Sequence, residues 1–187
     1  MSNRYYGYDA VKKVEEMIGR KLTIPEIRVV EEEGFVDGTY KDTKGVVTSG
    51  VGQTGKYMNM SFDDTFREHE DIARKMIPSY DQLPDVVKAE LAQAAYRTDL
   101  QQSPEFRKLF NAGKYEEAAQ EFLDNADYRK SLKEGTGVAN RMEAVSNIVR
   151  DYGQSLRDAE QAEEVVPVSK EESWMDSFGS SLRDLFK

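Results

Sequence analysis

Near residue 60 the periodicity of this chain changes, and that change limits the fold more than any other feature. Before it, "FVDGTYKDTKGVVTSGVG" sets the strand formers Tyr40, Val46, Val47 and Val51 among turn residues, with Asp42–Gly45 as the tip of a hairpin. After it, "SFDDTFREHEDIARKMI", "LPDVVKAELAQAAYRT", "SPEFRKLFNAG", "KYEEAAQEFLDNA" and "GVANRMEAVSNIVRDYG" all carry apolar residues at helical spacing. Ser61 with Asp64, Ser103 before Pro104, and Gly113 and Gly153 as stops set the boundaries. The fold class expected is therefore α+β, a small sheet in the N-terminal third followed by a helical lobe.

Two helices precede the hairpin. "DAVKKVEEMIGR" places Val11, Val14, Met17 and Ile18 on one core-facing stripe. Thr23 and Glu26 have capping-box spacing and Pro25 suits a first turn, so a helix is expected from Ile24 to Glu33, stopped by Gly34. Glu33 then sits at a helix C-terminus, where the partial negative charge of the helix end favours the protonated acid.

Charge and composition exclude several functions. The formal net charge of -9 argues against a broad basic surface for nucleic acid. The balance is even over residues 1–60, -5 over 61–154 and -4 over 155–187. There is no cysteine and only one histidine, His69, read as a surface helix residue, so no thiolate chemistry, metal site or cofactor is expected. No apolar run suits a secretory signal or the roughly 18 residues of a membrane span, so a soluble protein without stable membrane insertion, made in a cytoplasm, is expected.

Glu33, Asp42 and Thr48 lie on three different pieces of chain that a hairpin folding over a helix end could gather. Two carboxyls are what glycoside hydrolysis requires, one donating a proton to the leaving oxygen and the other activating water. Spacing alone leaves the alternative open that Glu33 is a solvated helix end and Asp42 a turn aspartate.

The stretch "EEGFVDGTYKDTKGVVTSGVGQT" resembles the active-site segment of the T-even phage lysozymes, with glutamate, aspartate and threonine separated by nine and then six residues. Downstream, "YDQLPDVVKAELAQAAYRTDL", "FRKLFNAGKYEEAAQEF" and "GVANRMEAVSNIV" are similar to that family's later helices, and the resemblance covers roughly residues 24–153. It implies a lysozyme-like fold, with a small N-terminal lobe holding an antiparallel hairpin sheet and a larger helical C-terminal lobe. It also implies an inverting muramidase that cuts bacterial peptidoglycan, with Glu33 as general acid, Asp42 as base and Thr48 placing the water. Arg141 in "ANRMEA" matches an arginine beside the glutamate, and the alternative is that it chiefly ties the lobes together. Gln53 stands where the family usually has histidine, and Ser49 fills a usually aliphatic position. Tyr96, Arg97, Gln101 and Gln102 are candidates for lining a glycan cleft.

The expected organisation is an N-terminal helical extension (1–22), a catalytic domain (23–154) and an acidic linker with an amphipathic docking segment (155–187). That segment sets Trp174, Met175, Phe178, Leu182, Leu185 and Phe186 near one helical face. It could dock a phage structural protein, pack on its own domain or touch a membrane, the last disfavoured by a weakly basic polar face. The acidic balance favours a virion-carried enzyme over an endolysin released from the host cytoplasm, since a carried enzyme needs no electrostatic attraction to the wall. A catalytically silent wall-binding module is the remaining alternative.

Overall fold

The computed structural model describes residues 3–41 and 45–164. The chain divides into two compact units, Met1–Gly153 and Gln154–Lys187. The expected docking segment, with Trp174, Met175, Phe178, Leu182, Leu185 and Phe186, lies outside the described residues, as do Asp42, Thr43 and Lys44. Among the described residues no helix is long and apolar enough to cross a membrane.

The first unit is an α+β fold, mostly helical, with a four-stranded antiparallel sheet in the order β1-β2-β3-β4. The strands are β1 (Arg4–Tyr5), β2 (Phe35–Lys41), β3 (Val47–Gly50) and β4 (Gln53–Thr54). The expected hairpin is the β2–β3 pair, in which Tyr40 faces Thr48 and Lys41 faces Val47. A bulge between Val36 and Thr39 interrupts it, and there the Asp37 N–H donates to the Asn3 carbonyl at 3.0 Å. The N-terminal extension is thus more than helical, since β1 adds a strand to the sheet edge beside β2.

Helix α1 (Gly7–Ile18) buries Ala10, Val11 and Val14, but Met17, expected on the same stripe, is 54% exposed. Helix α2 (Ile24–Glu33) has the expected bounds, and the Glu26 carboxylate accepts from the Thr23 N–H at 2.7 Å across its first turn. Helix α3 (Phe62–Met76) starts on Ser61, whose hydroxyl oxygen accepts from the Asp64 N–H. Then come α4 (Asp85–Tyr96), α5 (Asp99–Gln102), α6 (Pro104–Asn111), α7 (Tyr115–Leu123), α8 (Ala126–Glu134) and α9 (Gly137–Glu164).

The expected stop at Gly153 is overturned, because α9 continues to Glu164. Gly153 serves packing instead: a Cβ there would lie 2.5 Å from Tyr115 Cβ on α7. Ser131 on α8 anchors the start of α9, its hydroxyl accepting from the Ala139 N–H at 2.7 Å.

Two apolar clusters hold the unit. One gathers α1, α2 and α3 with Phe35 and Val51, and the other, built on Tyr80, Phe106, Phe110 and Phe122, lies among the later helices. Helix α4 serves both, with Ala92 in the first and Leu91, Ala94 and Ala95 in the second. Helix α4 therefore packs towards the sheet-bearing part with one side and towards the later helices with another.

Candidate active site

Glu33 is the last residue of α2, and Gly34 ends the helix with φ 72°, a left-handed value that favours glycine. The Glu33 side chain is 19% exposed. Its Oε1 accepts from Gln93 Nε2 on α4 at 3.1 Å, and Arg97 Nη1 stands 3.6 Å from the same oxygen. On the other side, a Cβ on Gly52 would lie 3.1 Å from Glu33 Oε2, so the loop between β3 and β4 closes on the carboxyl because residue 52 has no side chain. Gly52 has φ 65°, which also favours glycine. A half-buried carboxyl is thus held by an amide, faced by a guanidinium and backed by bare peptide.

Thr48 is buried on β3 and its hydroxyl donates to the Val46 carbonyl at 3.2 Å. From Thr48 the chain runs through Gly50 and Val51 to Gly52 against Glu33. Asp42, the second expected carboxyl, lies outside the described residues.

Gln53 is buried. Its Nε2 lies 2.9 Å from both the Met60 carbonyl and Thr65 Oγ1, so an amide pins the segment after β4 to α3. Arg141 pairs with Glu32 at 3.8 Å, while among the described residues the cation paired with Glu33 is Arg97. Burial lowers the Arg141 pKa, the Arg97 charge lowers it further, and the carboxylates Glu33, Glu32 and Asp99 oppose both. Its Nε is buried with no hydrogen-bond partner among the described residues. Glu32 also pairs with Arg28, which holds Glu90 at 2.7 Å.

Of the four residues expected to line a glycan cleft, Arg97 lies at the site. It borders a cavity of about 470 Å³ shared with Asp99, Asp127, Lys130 and Arg141. Burial pushes the Asp99 carboxyl upward against the pull of Arg97, whose Nε lies 3.3 Å from it. Gln102 borders a neighbouring cavity of about 200 Å³ with Ser103 and Asn125. Gln101 turns its amide to the Ala95 carbonyl, and Tyr96 donates its hydroxyl to the Val51 carbonyl at 2.6 Å, so both polar groups serve the fold.

His69 is buried, not a surface residue. Its ring lies between Tyr57 at 4.5 Å and Tyr96 at 4.6 Å, centroid to centroid. Nδ1 stands 2.8 Å from the Thr65 carbonyl, which can only accept, so the proton is on Nδ1. Among the described residues no group of three histidines, aspartates or glutamates is arranged to hold a metal ion.

Sequence reasoning did not single out Gln93 or Gly52 at this site. Gln93 carried a readable signal, since it stands among Leu91, Ala92, Ala94 and Ala95, all buried, and a lone amide in such a run must find a polar partner. No protein-family model and no curated protein matches this chain.

Proposed function

We propose that the protein is a peptidoglycan hydrolase, a muramidase that cuts the β-1,4 bond between N-acetylmuramic acid and N-acetylglucosamine with inversion. The observation that carries this reading is the setting of Glu33, accessible yet fixed by Gln93 and closed in by Gly52. A general acid must reach the leaving oxygen in one orientation, and the Gln93 N–H holding Oε1 leaves the carboxyl little rotational freedom. Asp42 is assigned the base and Thr48 the placing of the water, on the sequence pattern. Inversion needs the two carboxyls about 6.5–9.5 Å apart, with water between them. No cofactor enters the reaction. The net charge of -9 supports delivery by a phage particle rather than release as an endolysin.

The test is zymography on purified peptidoglycan, with NMR of the first product. Wild type is expected to clear the gel and release the α-anomer, and Glu33→Gln to lose about 10²–10⁴-fold in rate with the proton donor gone. A wild-type protein that binds sacculi but releases no reducing ends would replace hydrolysis with a wall-binding module.

A further inference from the structure

We infer that Arg4, Tyr6 and Tyr40 form an outer subsite for an anionic glycan strand, built by the N-terminal extension beside the candidate active site. The nature of the ligand rests on the glycan-hydrolase reading above, and the geometry stands without it.

Arg4 lies on β1 opposite Val36, which in turn faces Gly50, while Tyr40 faces Thr48. Directly opposed residues project from the same face of a sheet, so Tyr40 shares a face with Thr48, and the Arg4 guanidinium lying over the Tyr40 ring puts Arg4 on that face without relying on the register across the bulge. Arg4, Tyr40 and Thr48 are therefore on one face. The Arg4 guanidinium sits over the Tyr40 ring at 4.2 Å and near the Tyr6 ring at 5.9 Å, and its Nη1 donates to the Tyr6 hydroxyl at 3.0 Å.

Tyr6 also reaches the catalytic end of α2. A Cβ on Gly34, the residue after Glu33, would lie 3.1 Å from the Tyr6 ring and 2.8 Å from the Tyr5 carbonyl. The ring is thus seated on the backbone next to the proposed acid, yet Tyr6 is 59% exposed. A large aromatic seated on backbone at one edge and open to solvent at the other presents a flat apolar face, on which the C–H face of a pyranose can stack.

Charge selects the ligand. Residues 3–13 carry Arg4, Lys12 and Lys13 against Asp9 alone, in a chain of net charge -9. Arg20, Arg28 and Arg74 each hold at least two carboxylates, whereas among the described residues Arg4 has no carboxylate partner. Its planar guanidinium, stacked on one ring and bonded to a second, keeps further N–H groups for a carboxylate on the ligand. A polymer with both sugar rings and carboxylates fits this ridge, and continuity with the Thr48 face and with Gly34 favours the glycan over a protein partner.

The experiment uses the full chain with Glu33→Gln, so that binding is read without cleavage, and purified sacculi as the probe in co-sedimentation. Adding Arg4→Ala and Tyr6→Ala is expected to weaken binding at least about fivefold, as loss of a stacked and a charged contact requires, while Tyr6→Phe keeps it. Tyr6→Leu alone, with its thermal midpoint measured, separates loss of the ring from loss of the fold. Unchanged binding in a folded Tyr6→Leu, Arg4→Ala protein overturns the inference, as does absence of any binding to sacculi. A change in self-association on sedimentation, with binding intact, also overturns it and assigns the ridge to a second copy of the chain. Ridge-dependent binding by a wild-type chain that releases no reducing ends sinks the hydrolase and leaves the subsite. Hydrolysis that is indifferent to these substitutions does the reverse.

Discussion

Gln93 is the residue on which the geometry of the site turns. It is buried, its Nε2 donates to Glu33, and its Oε1 has no hydrogen-bond partner among the described residues. An unmatched buried acceptor is destabilising, by about 1–3 kcal/mol, whereas an apolar replacement of similar shape removes the acceptor altogether. Gln93→Leu is therefore expected to unfold no earlier than wild type in urea, yet to lower kcat by about ten- to a hundredfold through a Glu33 carboxyl released from its amide anchor, with KM little changed. A fall in stability with kcat unchanged would assign Gln93 to the fold instead. Glu33 was legible in the sequence because its signals are local: Thr23, Glu26 and Pro25 fix one end of the helix and Gly34 the other. Its partner was not, because Gln93 is 60 residues away and only the packing of α4 on α2 brings the amide to the carboxyl.

Whole elements were legible in proportion to the apolar stripe they carry. Helices α3, α6 and α7 bury one regular face each and were expected, and α4 was expected from an apolar run that is buried on two sides, whereas α8 buries only Ser131 and leaves Leu132 55% exposed, so no stripe marks it. Strand β1 has two residues, too few for an alternation to be read. Glycine is ambiguous from sequence because it serves both as a helix stop and as a close-approach residue, and Gly153 is the second kind. Gly153→Ala is accordingly expected to destabilise by about 1–3 kcal/mol in urea unfolding, since the new methyl meets Tyr115, although alanine favours a helix interior by about 1 kcal/mol.

The stack of Tyr57, His69 and Tyr96 joins the segment after β4, helix α3 and helix α4, and it carries a pH dependence of its own. Burial lowers the His69 pKa below its ordinary value of about 6.5. Between the lowered and the ordinary value the unfolded chain binds more protons than the folded one, so stability rises with pH there. The contribution is complete above about pH 6.5 and is lost as the pH falls through the folded pKa. The urea midpoint of wild type should drop more between pH 7.5 and pH 5 than that of His69→Phe, which keeps a ring between the tyrosines and cannot titrate. Equal drops in the two proteins would remove His69 from the account.

At the scale of the whole molecule, both apolar clusters lie within the first compact unit, and the last core residue is Val149, with Tyr152 packed against it. Every residue of the candidate site and of the Arg4–Tyr6–Tyr40 ridge also precedes residue 153. A chain ending at Gly153 should therefore keep a thermal midpoint within a few degrees of the full protein and should keep whatever activity the full protein has. The same truncation removes four basic and eight acidic side chains, taking the formal net charge from -9 to -5. Less repulsion from an anionic wall should then strengthen sedimentation with sacculi at low salt. The difference should vanish near 0.5 M salt, where the screening length falls below about 5 Å. An advantage that persists at high salt would mean that residues 154–187 obstruct the wall-binding surface by contact rather than by charge.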